Sequence, residues 1–214
     1  MATTGEVYPT LGETASESPW SDNDWVTPEN IYVNDGNTAS VTAATFDSGD
    51  QTRVLKATGF DFSIIPDGST IDGVILRVNN WYANGGVSID LASLLDTSKA
   101  RVGDNKYATP HVLTTDTAHV DSAGGATDTW GNSLTAAWVK NSSFGVGLGY
   151  LATPVKDSDV FVDYVTLEIY YTAPSGPTPD AYNKLLYTSE PPTPNAWNQL
   201  KQDSGTGWKK ILYI

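Results

Sequence analysis

Apolar residues recur at every second position in stretch after stretch of this chain. Up to residue 172 they build no amphipathic helix of any length. The clearest stretch is Tyr164-Val-Thr-Leu-Glu-Ile-Tyr-Tyr-Thr172. There Val165, Leu167, Ile169 and Tyr171 share one face, and Tyr164, Thr166, Glu168 and Tyr170 share the other. That pattern predicts a strand lying centrally in a sheet with its polar face towards solvent. Ile71 to Tyr82 alternates in the same way, with Val74, Leu76 and Val78 opposite Arg77 and Asn79, and Val87-Ser-Ile-Asp-Leu91 reads as a half-buried strand. Leu55 to Ile65 is a further strand-like run, and Ala39 to Phe46 a weaker one. In Phe144-Gly-Val-Gly-Leu-Gly-Tyr150 one face is all glycine, which leaves room for a flat partner or marks a twisted or bulged strand.

Turn residues divide these runs. Pro66-Asp67-Gly68 suits a tight turn, and Asp35-Gly36 between extended flanks is a hairpin signal. A polar stretch over 96–135 holds few anchors beyond Val112, Leu113, Val120 and Trp130. Many short strands without an amphipathic helix predict an all-β, jelly-roll-like antiparallel β-sandwich over residues 20–172. Residues 1–19 lack periodicity and predict an extended N-terminal arm. Residues 173–181, rich in proline, predict a semi-rigid linker.

Residues 182–214 follow a separate logic. Tyr182-Asn-Lys-Leu-Leu-Tyr-Thr188 is nearly repeated by Trp208-Lys-Lys-Ile-Leu-Tyr-Ile214, and Thr193-Pro194 between them is a helix-start signal. This predicts a strand-helix-strand unit too small to shelter its own apolar side chains. Leu185, Leu186, Tyr187, Trp197, Leu200, Trp208, Ile211, Leu212 and Tyr213 are therefore expected to anchor the chain to a neighbouring subunit or a larger particle. Folding back onto the sandwich is the alternative.

Charge sharpens that division. The chain carries a formal net charge of −13 over 214 residues. Residues 1–172 hold 8 Lys and Arg against 22 Asp and Glu, whereas 173–214 hold 4 against 3. Such an acidic body argues against nucleic acid, whose phosphates require Lys and Arg. Cysteine is absent, so neither disulfides nor thiolate metal sites hold the fold. The N-terminus lacks the basic and apolar regions of a secretory leader, and no apolar run reaches membrane-spanning length, so membrane insertion is not expected.

Catalytic chemistry finds little support. The two histidines, His111 and His119, lie in the polar stretch, and no Gly-x-Ser-x-Gly elbow or phosphate loop accompanies them. Their eight-residue spacing serves a metal only if the loop folds back. Carboxylate pairs such as Asp22/Asp24 and Asp157/Asp159 fit solvated loops better than a glycosidase pair. Together with Asp47 and Asp50 they offer oxygens for a structural Ca²⁺ without matching a full calcium-loop spacing, and no cofactor is expected. Seven Trp and eleven Tyr exceed what a core of this size needs. Trp20, Trp25, Trp81, Tyr82, Trp130 and Trp138 are candidates for stacking on sugar rings, with Trp81, Tyr82 and Trp130 foremost, against the simpler roles of core or interface.

Four segments carry a resemblance: Trp25-Val-Thr-Pro-Glu-Asn30 running into Asp35-Gly-Asn-Thr-Ala39, then LKATGFDFSIIPDGSTIDGVILRV at 55–78, TDTWGNSLTAAWVKNSSFGVGL at 127–148 and VDYVTLEIYYT at 162–172. In this order they resemble the small virion structural proteins of tailed bacteriophages, of the minor tail or decoration type. One departure is Ser63-Ile-Ile-Pro66, where a single apolar residue before the proline is expected, so an extra residue threatens the strand register. The resemblance implies a non-enzymatic protein on the exterior of a virion assembled in the bacterial cytoplasm, tail- or fibre-associated or capsid-decorating. It implies contacts with other virion proteins and with copies of itself. The alternative is a carbohydrate-binding, receptor-binding module for host-surface glycan.

Overall fold

In a computed structural model, which describes residues 1–42, 46–153 and 157–175, the strongest alternating pattern becomes one of the two longest strands. The chain divides into two units, Met1–Pro174 and Ser175–Ile214. The anchoring residues expected between Leu185 and Tyr213 lie outside the described residues.

Eleven strands build the first unit among the described residues: β1 (Ala2–Thr3), β2 (Leu11–Ala15), β3 (Ala39–Val41), β4 (Val54–Thr58), β5 (Thr70–Ala83), β6 (Val87–Leu95), β7 (Arg101–Val102), β8 (His111–Val112), β9 (His119–Gly125), β10 (Gly145–Ala152) and β11 (Asp159–Thr172). They form two sheets. One has the order β1-β11-β5-β9 with β3 also on β11, and the other β2-β4-β10-β6-β7 with β8 also on β6. Every ladder is antiparallel. The result is a jelly-roll-like β-sandwich, as the alternation predicts. Among the described residues the one α-helix, α1 (Ala136–Val139), is one turn long, and the Thr135 side chain caps it by accepting from the Trp138 backbone N–H.

The core lies between the sheets. Val74, Leu76 and Val78 of β5, Val165, Leu167 and Ile169 of β11, Leu55 of β4, Ile89 of β6 and Val146 and Leu148 of β10 are all fully buried there. Each such aliphatic side chain contributes roughly 1.5–3 kcal/mol by leaving water, so the alternation that names the strands also supplies the driving force.

Three expectations change on contact with the structure. Residues 1–19 are extended, but they are not a free arm. β1 pairs with β11, Val7 bridges Leu167, and β2 pairs with β4, so this segment adds an edge strand to both sheets. These strands are short and mostly polar, as edges commonly are, and so lack periodicity. Asp35-Gly36 does not close a hairpin. Its flanks are a 3₁₀ turn, Pro28–Ile31, and β3, and the Gly36 N–H donates to the Asp163 carboxylate at 3.1 Å. The extra isoleucine does not flip a strand. β4 ends at Thr58, Ile64 is exposed, Ile65 is buried, and the turn that the Ile65 N–H closes on the Phe62 carbonyl absorbs the added residue.

Candidate functional site

A β-sandwich has two outer faces, and here the chain itself closes one of them. On the β4-β10-β6 sheet, the glycines of β10 leave a shelf that an ideal Cβ could not share with its neighbours. A Cβ on Gly149 would stand 2.5 Å from Trp20 Cδ1 and 2.7 Å from its Nε1. At Gly149 the flat partner is therefore the protein's own Trp20, whereas Gly145 and Gly147 are crowded by the Ala57 carbonyl and the Val54 side chain of β4. Its indole N–H donates to Asp90 at 2.9 Å, and the Arg101 guanidinium lies 4.5 Å from the ring centroid. Arg101 and Lys56 both pair with Glu17. Burial alone would raise the Glu17 carboxyl, but these two cations hold it below its ordinary value.

The outer face of the other sheet is open only in part: Trp81, Phe161 and Tyr164 are partly exposed, whereas Thr166 and Glu168, expected to face solvent, are buried where Glu6 and Thr3 contact them. β5 directs Ile75, Arg77, Asn79 and Trp81 outward, all partly exposed, while Val74, Leu76, Val78 and Asn80 point inward and are buried. Across the ladder to β11 their partners are Glu168, Thr166, Tyr164 and Phe161. On β9 they are Gly124, Ser122 and Val120, opposite Ile75, Arg77 and Asn79. A bulge at Asp163 breaks the alternation between Phe161 and Tyr164, so both aromatic rings reach the same face.

This face has two halves. At the end near the β5–β6 turn, Trp81 and Phe161 stack with ring centroids 5.5 Å apart and planes at 22°. One register step along, the Tyr164 ring lies 5.8 Å from Tyr8. Between Trp81 and Arg77 stands Asn79, whose side-chain oxygen is enclosed yet accepts no hydrogen bond within the protein. The other half is ionic. Arg77 donates to Glu168 at 2.9 Å and lies 3.5 Å from Glu6, while Thr3 donates to Glu168 at 2.6 Å and Thr166 to Glu6 at 3.3 Å. Burial pulls the Glu168 carboxyl up, but hydrogen bonds from Thr3, Arg77 and Tyr170 and the Arg77 charge outweigh it and leave it below its ordinary value. Trp81 lies eight positions along β5 from Gly73, so the face runs roughly 27 Å along the strands.

The structure separates the aromatic candidates. Trp81 and Tyr82 are neighbours on one strand and point to opposite faces, and Tyr82 packs against the core. Trp130 is fully buried, donates its indole N–H to the Val74 carbonyl at 3.0 Å and presents no ring face to a ligand. Its expected stacking role is therefore corrected to core packing. Trp25 is also buried, edge-on to Tyr150. Trp138 borders an open hollow of about 420 Å³ with Asp96, Thr97 and Ala137. The pairing of Trp81 with Phe161 and of Tyr164 with Tyr8 escapes sequence reasoning, because cross-strand register and the bulge create it.

The loop that carries the histidines does fold back. His111 Nε2 lies 3.0 Å and His119 Nε2 3.9 Å from the same oxygen of the buried Asp121, whose other oxygen accepts from Asn80 at 2.9 Å. Burial, then the Asp121 charge, pushes the Tyr107 hydroxyl up to about 12, and burial also raises Tyr150. Even so, no group of three His, Asp or Glu is arranged to hold a metal ion among the described residues. The acidic loops are engaged by the protein: Asp22 accepts from the Gln51 N–H, Asp24 pairs with Arg53, Asp50 accepts from the Asp47 N–H, Asp47 from the Asp157 N–H, and Asp159 from Asn84.

No protein-family model matches the chain, and neither does any curated protein sequence. Among solved structures it is similar to a CBM4 structure, at 14% identity over 76% of this chain and 93% of that one, with a TM-score of 0.39. It is also similar to the CBM22-1 xylan-binding domain of Xyn10C from Paenibacillus barcinonensis, at 9% identity over 81% and 100% of the two chains, with a TM-score of 0.40. The N-terminal cellulose-binding domain of β-1,4-glucanase C from Cellulomonas fimi stands at 8%, 82%, 96% and 0.33. The likeness is one of layered β architecture and says nothing of ligand.

Proposed function

We propose that the body of this protein is a non-catalytic carbohydrate-binding module whose ligand lies on the outer face of the β1-β11-β5-β9 sheet. The observation that carries this reading is the contrast between the two faces. One is capped by Trp20 and its ion pairs, and the other keeps the stacked Trp81–Phe161 pair partly exposed at one end. A sugar ring suits such a place. Its C–H bonds pack against aromatic surface. Isothermal titration against an oligosaccharide panel tests the reading. Wild type binds at least one member, and Trp81→Ala loses that binding while keeping the wild-type fold. A wild type that binds none, or a Trp81→Ala that binds equally, refutes it.

A second reading, an exterior structural protein of a bacteriophage particle, is favoured by the resemblance of residues 20–172 and by the division of the chain at Pro174/Ser175. The two readings are compatible. The backbone from Phe161 to the end of β11 at Thr172 extends for about 37 Å, which puts the aromatic pair far from the point where the chain leaves the sandwich. β1 pairs with Tyr170 and Tyr171 at that same end, so the N-terminus is remote from the aromatic pair as well. Electron microscopy of the assembled particle with antibody against residues 1–174 tests this second reading, and absence of the chain from the particle refutes it.

A further inference from the structure

The exposed aromatic surface does not end at the Trp81–Phe161 pair. Tyr8, from a segment without sequence periodicity, is 37% exposed, and its ring lies 5.8 Å from that of Tyr164. Leu167 pairs with Leu76 of β5 on one side and bridges Val7 on the other, so Tyr8 stands beyond β11 while Trp81 stands on β5. The four rings therefore form a row that crosses the sheet from β5 over β11 to the N-terminal segment. Trp81 faces Phe161 and Asn79 faces Tyr164, so the two aromatic pairs are one outward position apart, about 7 Å along the strands. Two inter-strand spacings add about 10 Å across them, which puts Tyr8 roughly 12 Å from Trp81. Along β11 towards Thr172 the way is closed. Thr166 donates to Glu6 at 3.3 Å, Arg77 lies between Glu6 and Glu168, and Thr166 and Glu168 are buried.

Resting on the binding-face reading above, we infer that Tyr8 and Tyr164 form a second subsite, and that the ligand is a linear oligosaccharide laid across the strands from Trp81 to Tyr8. A single sugar ring packed on Trp81 is too short to touch a residue roughly 12 Å away, whereas a chain of linked rings reaches it. Tyrosine suits the distal position. Its ring offers apolar surface to sugar C–H bonds, and its hydroxyl both donates to and accepts from sugar hydroxyls. The ion pairs of Arg77 with Glu6 and Glu168 bar the chain from following β11 and turn it towards Tyr8. The N-terminal segment thus adds a binding residue as well as an edge to the sheet.

Length series test this with the full-length protein. Cello-, xylo-, chito- and malto-oligosaccharides, each from disaccharide to hexasaccharide, are compared by isothermal titration. In any series that binds, the longer members are expected to bind about fivefold or more tightly than the disaccharide, the gain that one further aromatic contact supplies. Tyr8→Ala is expected to remove that gain while leaving the disaccharide within about twofold of wild type, and Tyr8→Phe to keep most of it. Thermal unfolding checks that both variants are folded. No gain with length, a gain that survives in Tyr8→Ala, or an equal loss at every length overturns the second subsite. If Trp81→Ala still abolishes binding in those series, the face stands as the site. Failure of every series to bind wild type, or binding that Trp81→Ala leaves unchanged, overturns both.

Discussion

Replacing Gly149 with alanine places a methyl group where the Trp20 ring now lies. The new Cβ would stand 2.5 and 2.7 Å from two atoms of that ring and 3.0 Å from Leu91 Cβ, against roughly 3.5–4.0 Å for unstrained carbon contacts. β10 is central in its sheet, between β4 and β6, and cannot retreat, so the ring moves by about 1 Å or more. That shift breaks the 2.9 Å bond from Trp20 to Asp90 and slides the ring from beneath Arg101. A hydrogen bond to a charged group contributes about 1.5–3 kcal/mol and a partly exposed cation–π contact about 0.5–1. Asp90 keeps its 2.8 Å bond from Gln51, which moderates the loss, so the expected destabilisation is about 2 kcal/mol. Urea denaturation of wild type, Gly149→Ala, Trp20→Ala and the double variant measures it. With Trp20 already removed, Gly149→Ala should keep only the cost of the 3.0 Å approach to Leu91 Cβ, giving a coupling of about 1 kcal/mol or more. Strictly additive losses would refute the claim that the glycine shelf exists to seat this ring.

The two tryptophans singled out for sugar stacking should separate cleanly. Trp130→Ala costs about 3–5 kcal/mol by emptying a buried site, whereas Trp81→Ala costs only the stacking with Phe161, about 0.5–1.5, as read by thermal or urea unfolding. Acid sensitivity should change in Glu168→Gln. The Glu168 carboxyl titrates below its ordinary 4.5 in the folded protein, so its contribution is present above that pH and fades as pH falls through the depressed value. The variant should therefore be less stable than wild type by about 1–2 kcal/mol near neutrality, with the difference shrinking in urea titrations taken from pH 5 towards pH 3. At the alkaline end the sign reverses. Tyr107 is raised from 10.0 to about 12, so its neutral form stabilises the fold below pH 10 and that contribution is lost as pH climbs to about 12. Tyr107→Phe should flatten the alkaline limb of the stability profile.

The alternation in β11 was legible because both of its neighbours are strands and one of its faces is buried along nearly its whole length, from Val160 to Tyr171. That situation writes a period of two into the sequence. β5 was legible for the same reason. β1 and β2 were not, since an edge strand held mainly by backbone bonds, such as Thr4 N–H to the Ile169 carbonyl, makes little demand on side chains. The glycine face of β10 announced a close approach but not its occupant, because Trp20 lies far away in sequence and reaches β10 through a loop. At the candidate site, Trp81 was singled out from its type alone. Its partners Phe161, Asn79 and Tyr8 depend on register, on a one-residue bulge and on a bridge from the N-terminal segment, none of which has a local signature. Trp130 misled because a tryptophan in a polar stretch looks available, whereas here the Trp130 backbone takes a positive φ of 58° and its ring turns inward beneath Lys106.

Mapping a bound neutral oligosaccharide by two-dimensional NMR tests the central claim most directly, since each tryptophan indole N–H reports on its own surroundings. The account predicts that the Trp81 indole, the Asn79 side-chain amide and backbone amides of 75–81 and 161–168 shift on titration, while the Trp20 and Trp130 indoles stay in place. Shifts centred on Trp20 and β10, or on the hollow beside Trp138, with Trp81 unmoved, would contradict it.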